Sequence, residues 1–132
     1  MIKSLPLILA AAIALPSAAV QAKPADPAAQ LARITAGRTA GTPVDCIQLN
    51  QIRSTQIVRD TAIVYSMNDG TIYVNQPASG ANFLDSDDVL VTDTHSSQLC
   101  SVDIVKLLDS GTHMSTGSVG LGKFVPYPRA KG

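Results

Sequence analysis

A mainly β fold is what this sequence predicts: a small antiparallel sheet curled into a barrel or sandwich, preceded by a cleaved signal helix and a flexible linker. Three observations carry the prediction. The pair Asp69-Gly70 lies between two runs rich in β-branched and aromatic residues, and such a pair supplies the positive φ that a tight hairpin turn needs. Short apolar runs, about six of them, follow one another closely between Val44 and Tyr127, the spacing of strands in a small all-β domain. The only two cysteines, Cys46 and Cys100, each stand in strand-like apolar text, so one disulfide would tie two strands together.

The chain begins with Met1-Ile2-Lys3-Ser4 and continues into the apolar stretch Leu5 to Leu15, after which small residues lead to Val20-Gln21-Ala22. A basic start, a short apolar core and small residues at the cut are the layout of a secretory signal, here expected over 1–22. The alternative is an anchor retained in the membrane, but the stretch is short for a bilayer, with Pro6 inside it and Pro16 directly after it. Residues 23–43 are mostly Ala, Gly, Pro and Thr, which bury too little to order themselves. They read as a flexible linker, with a docked helix over Pro27 to Ile34 as the alternative, suggested by Leu31 and Ile34 three positions apart. Residues 44–132 then form one β-rich, disulfide-linked domain, since about 110 mature residues suit one domain and not two.

Within that domain Ile47 and Leu49 alternate with Gln48 and Asn50, a half-buried strand. A break is expected at Arg53-Ser54-Thr55, a new start at Ile57-Val58 and a turn at Arg59-Asp60. If Asp69-Gly70 are the two central residues of the hairpin, Met67 faces Ile72 and Tyr65 faces Val74. Ile63, Tyr65, Met67, Ile72 and Val74 then share the core face, while Ser66, Tyr73 and Asn75 look outward. Val89-Leu90-Val91 reads as a buried strand entered through the turn Asp85-Ser86-Asp87-Asp88. Cys100, Val102 and Ile104 alternate onto one face, and Val105 to Leu108 continues as strand in preference to a helical turn. A last strand carries Val119 and Leu121 before Pro126 and Pro128 stop the ladder.

Chemistry is sparse. Without Lys3 there are nine basic and ten acidic residues, all the latter aspartate; this balance argues against a nucleic-acid partner or a polybasic membrane contact. Gly117-Ser118-Val119-Gly120-Leu121-Gly122-Lys123 matches most of a phosphate-binding loop, but Phe124 replaces the hydroxyl residue and Pro126 bars the helix that must follow. The glycines therefore read as strand positions where side chains must be small. Asp85, Asp87 and Asp88, with Asp93 nearby, lack the spacing, glycine and glutamate of a calcium loop and read as a solvated turn. His95 and His113 lie in polar, turn-like text, and no Gly-x-Ser-x-Gly elbow is present. No catalytic, metal or cofactor site is expected. The cysteines are too far apart for a redox Cys-x-x-Cys pair and favour a structural bond, with free buried thiols as the alternative. Tyr73, on the expected outer face, is the aromatic most suited to touch a partner.

The pattern Cys46-Ile47, the Tyr73 hairpin, Leu99-Cys100-x-x-Asp103 and Leu121-Gly122-x-Phe124-x-Pro126-Tyr127 resembles a family of small exported bacterial proteins of unknown function. The resemblance spans about Asp45 to Tyr127. It implies export and one compact domain, and supplies no mechanism. Members commonly carry four cysteines; the positions near Ala81 and Val119, where the other two are expected, hold none. The function these features favour is an exported non-enzymatic binding or structural module of the cell envelope, periplasmic or secreted, with an envelope or extracellular protein or ligand as partner and no membrane span after signal cleavage. The alternative is a small secreted hydrolase using His95 or His113 with a nearby serine.

Overall fold

In the computed structural model residues 12–14 and 26–130 are described; the expected signal peptide, apart from 12–14, and the start of the expected linker lie outside them. Asp69-Gly70 does close a hairpin, joining β3 (Ala62–Met67) to β4 (Ile72–Asn75). The loop, however, has three residues. Gly70 N–H donates to Met67 O at 3.1 Å, Met67 N–H donates to Thr71 O at 2.9 Å, and Gly70 takes φ +91°. Asp69 Oδ1 accepts from Thr71 N–H at 2.9 Å, bracing the turn. Such a loop is the next commonest hairpin connection after the two-residue turn.

The extra residue shifts the register by one, so that Ser66 faces Ile72, Tyr65 faces Tyr73 and Val64 faces Val74. Because side chains alternate, the whole of β4 changes face. Tyr73 joins Ile63, Tyr65 and Met67 on the main core, whereas Val74 and Ile72 join Val58, Ala62 and Val64 on the opposite side. The expected one-sided sheet is thus corrected to one with apolar residues on both faces. Asn75, expected outside, is fully buried.

The second face is covered by α1 (Pro27–Ile34), whose Leu31 and Ile34 pack against it. Pro27 opens the helix, where its missing N–H is harmless, and Gly37 with φ +74° lies just beyond its end. Each half-buried Leu or Ile contributes on the order of 1 kcal/mol. The docked-helix alternative therefore describes residues 27–34. Arg38 then reaches across to the hairpin, donating through Nη1 to Gly70 O at 2.7 Å and Tyr127 O at 3.1 Å.

Three antiparallel sheets result, none closed into a barrel. The largest has the order β2-β3-β4-β9, with β2 at Ile52–Val58 and β9 at Phe124–Tyr127. The second has the order β5-β7-β8, made of Asp88–Thr92, Ile104–Asp109 and Ser115–Gly120. The third pairs β1 (Cys46–Gln48) with β6 (Gln98–Cys100). All three contribute to one core, in which Ile47 and Leu99, Ile63 and Tyr65, and Val105 and Leu107 meet Leu84 and Phe124.

Several local expectations are revised. The break at Arg53-Ser54-Thr55 is a bulge inside a continuous β2, where the register shifts between Ile52 and Ser54. Val89-Leu90-Val91 forms a strand, but an edge strand, with Val89 48% exposed. The run from Cys100 to Ile104 turns instead of alternating: Asp103 N–H donates to Cys100 O, leaving Val102 86% and Ile104 64% exposed. Pro126, expected to stop the ladder, sits inside β9 opposite Tyr73. It is tolerated because β9 is an edge strand; residues 124 and 126 turn their backbone groups toward Val44 and Gly41, and Pro126 is asked only to accept, from Gly41 N–H at 2.7 Å.

Among the described residues one buried side-chain group, the hydroxyl of Tyr65, is unpaired. The ring of Tyr65 meets Phe124 edge-on with centroids 5.7 Å apart, and its hydroxyl has no hydrogen-bond partner. Burial holds that phenol well above its usual pKa. Removing the hydroxyl removes an unsatisfied polar atom, so Tyr65→Phe is expected to raise stability by about 1 kcal/mol in urea unfolding. A loss of that size would show instead that the hydroxyl is hydrogen-bonded.

Candidate functional site

Two of the sheets end in strands with an open side, and these edges meet. Among the described residues β2 is paired only with β3, and β5 only with β7. Between them lies a groove of about 480 Å³, lined by Thr55, Gln56 and Ile57 of β2 and by Asp88, Val89 and Leu90 of β5. Gln30 of α1 and Ser86 complete it. Apart from pairing with their own sheet partners, residues 53–57 and 89–92 make no backbone hydrogen bonds among the described residues. The outer edges of both strands bordering the groove therefore carry unspent donors and acceptors.

Sequence chemistry explains why these strands sit at edges. The run Arg53-Ser54-Thr55-Gln56 is polar and exposed, and only Ile57 and Val58 are buried. In β5 the side chain that points to the core is Leu90, while Val89 stays half in solvent. Beyond β2, Asp60 N–H donates to Leu84 O at 3.1 Å, tying that end of the strand to the chain entering β5. The entry turn is held by Asp85, whose Oδ1 accepts from Asp87 N–H at 3.1 Å, and Asp88 Oδ2 accepts from Thr116 Oγ1 at 2.7 Å. The expected turn at 85–88 is present, and its carboxylates point in different directions. Among the described residues no three His, Cys, Asp or Glu side chains gather as a metal site.

The sulfurs of Cys46 and Cys100 are bonded, 54 positions apart in sequence, across the directly opposed pair of β1 and β6. Asp103 Oδ2 accepts from Cys100 N–H at 2.7 Å and Asp45 O from Ser101 N–H at 2.7 Å, so the turn after β6 is fastened beside the bond. A smaller cavity of about 220 Å³ adjoins it, with Cys46, Gln48, Met67, Asp69 and Tyr73 in its wall. Tyr73 is thus half-buried against the core and the disulfide face, not free on an outer face as the hairpin register had suggested.

The imidazoles are separate. His95 is exposed between β5 and β6; His113, with φ +59°, is exposed in the turn between β7 and β8. Neither side chain hydrogen-bonds a serine or an aspartate among the described residues. Asp109 lies near His113, yet Oδ1 accepts from Thr112 N–H and Gly111 N–H, both at 2.8 Å. Those two backbone donors, more than the imidazole, hold its carboxyl below the usual range. The glycine-rich run at 117–123 spans β8 and the connection to β9, and a side chain at Gly117 would strike the ring of Phe83. Small residues are needed there for close approach.

What sequence reasoning missed is the groove itself. Its signal was available in the polar text of 53–56, which keeps strand propensity while avoiding apolar side chains, as an open edge does. No family model, curated protein or solved structure matches the chain, so the likeness to small exported bacterial proteins rests on its short motifs alone. No helix among the described residues is long and apolar enough to cross a membrane.

Proposed function

We propose that the chain is an exported non-enzymatic binding domain of the periplasm or the extracellular medium, acting by contact at the groove between β2 and β5. Taken together, the three sheets resemble a small barrel or sandwich left open along that seam. The observation that carries the reading is the pair of unpaired strand edges facing one space. An open edge invites pairing with another chain, and a domain that keeps two of them side by side has a use for them. The apolar start of the chain and the Cys46–Cys100 bond support export, because such a bond persists in oxidising compartments.

Val89→Lys tests the reading. The side chain is half exposed, so the fold should survive, with a melting temperature within a few degrees of the parent. Immobilised parent chain is expected to retain a partner from native envelope extract that V89K retains at least tenfold less. Met114→Lys, in the turn between β7 and β8, outside the groove lining and 69% exposed, should retain it fully. Equal retention by V89K and the parent would place the contact elsewhere.

A further inference from the structure

We propose that the occupant of the groove is an extended polypeptide segment, added as a strand between β2 and β5, with a lysine or arginine seated against Asp88. The proposal rests on the groove reading above and names its ligand. Three consecutive residues from each strand line the space, a length on the order of 10 Å at about 3.3 Å per residue. That is the reach of three or four residues in extended form, and strand addition takes an extended segment.

The lining fits such a segment on both of its faces. By alternation Thr55 and Ile57 of β2 and Leu90 of β5 lie on the core-side face, and Gln56 and Val89 on the other. A segment with alternating apolar and polar side chains would match each face in turn. Backbone groups on the two edges would satisfy the segment's N–H and C=O groups on both sides, which no small apolar ligand can exploit.

Charge decides the sign of the partner. Asp85, Asp87 and Asp88 enter β5 together, Asp88 lines the groove with its Oδ2 accepting from Thr116 Oγ1 at 2.7 Å, and none of the three is in an ion pair among the described residues. Among the described residues no Lys or Arg lines the same space. A basic residue in the segment gains a partner there, whereas an acidic one meets like charge.

The test is selection of displayed random nonapeptides against the disulfide-intact chain, followed by amide chemical-shift mapping of the strongest binder made with and without N-methyl groups at alternate positions. The expected consensus carries Lys or Arg beside alternating apolar residues, shifts amides of 53–57 and 88–91, loses at least tenfold affinity on N-methylation, and weakens severalfold against Asp88→Asn. Binders that map to the groove but tolerate N-methylation overturn strand addition and leave the groove reading standing; an acidic consensus overturns the charge assignment. Failure to shift either edge overturns both readings. Self-association of the parent chain that V89K abolishes would reassign the seam to a second copy and overturn the peptide proposal.

Discussion

Cys46→Ser or Cys100→Ser is expected to lower the unfolding free energy by about 4 kcal/mol, the chain-entropy value for a loop of this size, less any strain released. The bond closes 54 positions and joins β1 to β6 at directly opposed residues. This two-stranded sheet has little else to hold it: three pairs of residues, with Ile47 and Leu99 as its core-facing members. Once one sulfur is gone the other has no partner, so the double variant should unfold at the same denaturant concentration as either single one. Strictly additive losses in urea unfolding would mean that the two thiols act independently. Because the loss removes a large share of a small domain's stability, the reduced parent chain should behave like the serine variants.

The second large effect centres on Asn75. Its side chain imitates a piece of strand: Nδ2–H donates to Gly122 O at 2.7 Å, and Oδ1 accepts from Gly122 N–H at 2.9 Å, in a fully buried position. Asn75→Leu keeps the volume and leaves two backbone groups unsatisfied, so a loss of about 3 kcal/mol is expected. Asn75→Asp separates shape from chemistry. Ionised, the carboxylate keeps the acceptor, loses the donor, and places a charge in the core. Protonated, it offers both again. Burial raises its folded pKa above the unfolded value, so the variant's stability relative to the parent is recovered below the ordinary Asp range of about 4 and lost as pH rises through the folded pKa. Urea midpoints at pH 4 and pH 7 check this. A gap between parent and variant that does not widen toward neutral pH would show that the second hydrogen bond contributes nothing.

Much of the architecture was legible in the residues. The β class, the hairpin at Asp69-Gly70 and the strand continuing through Val105 and Leu107 follow from local alternation and turn chemistry, and the bond between Cys46 and Cys100 from there being two cysteines in a chain that begins like an exported one. The errors of facing in the hairpin share one cause. Period-two patterns say which residues alternate, but not which face meets the core, and a single residue in a loop inverts the answer. Val64 and Val74 could not be told from Ile63 and Tyr65 by pattern, because the helix that shelters them, Pro27–Ile34, lies in text dominated by alanine. Its Leu31 and Ile34 gain their value only from the second sheet face. The groove escaped for a related reason: that two edges meet is a property of tertiary arrangement, and neither 53–57 nor 88–92 names the other.

The guanidinium of Arg38 bears on how this molecule can be handled as a piece. By holding Gly70 and Tyr127 at once, it binds the approach to the first strand to the β3–β4 turn and to β9. Composition alone would trim an expression fragment at Val44. Such a cut discards that fastening and strips the cover from Val58, Val64 and Val74. The smallest self-sufficient fragment therefore starts no later than Asp26, and fusion partners belong upstream of it.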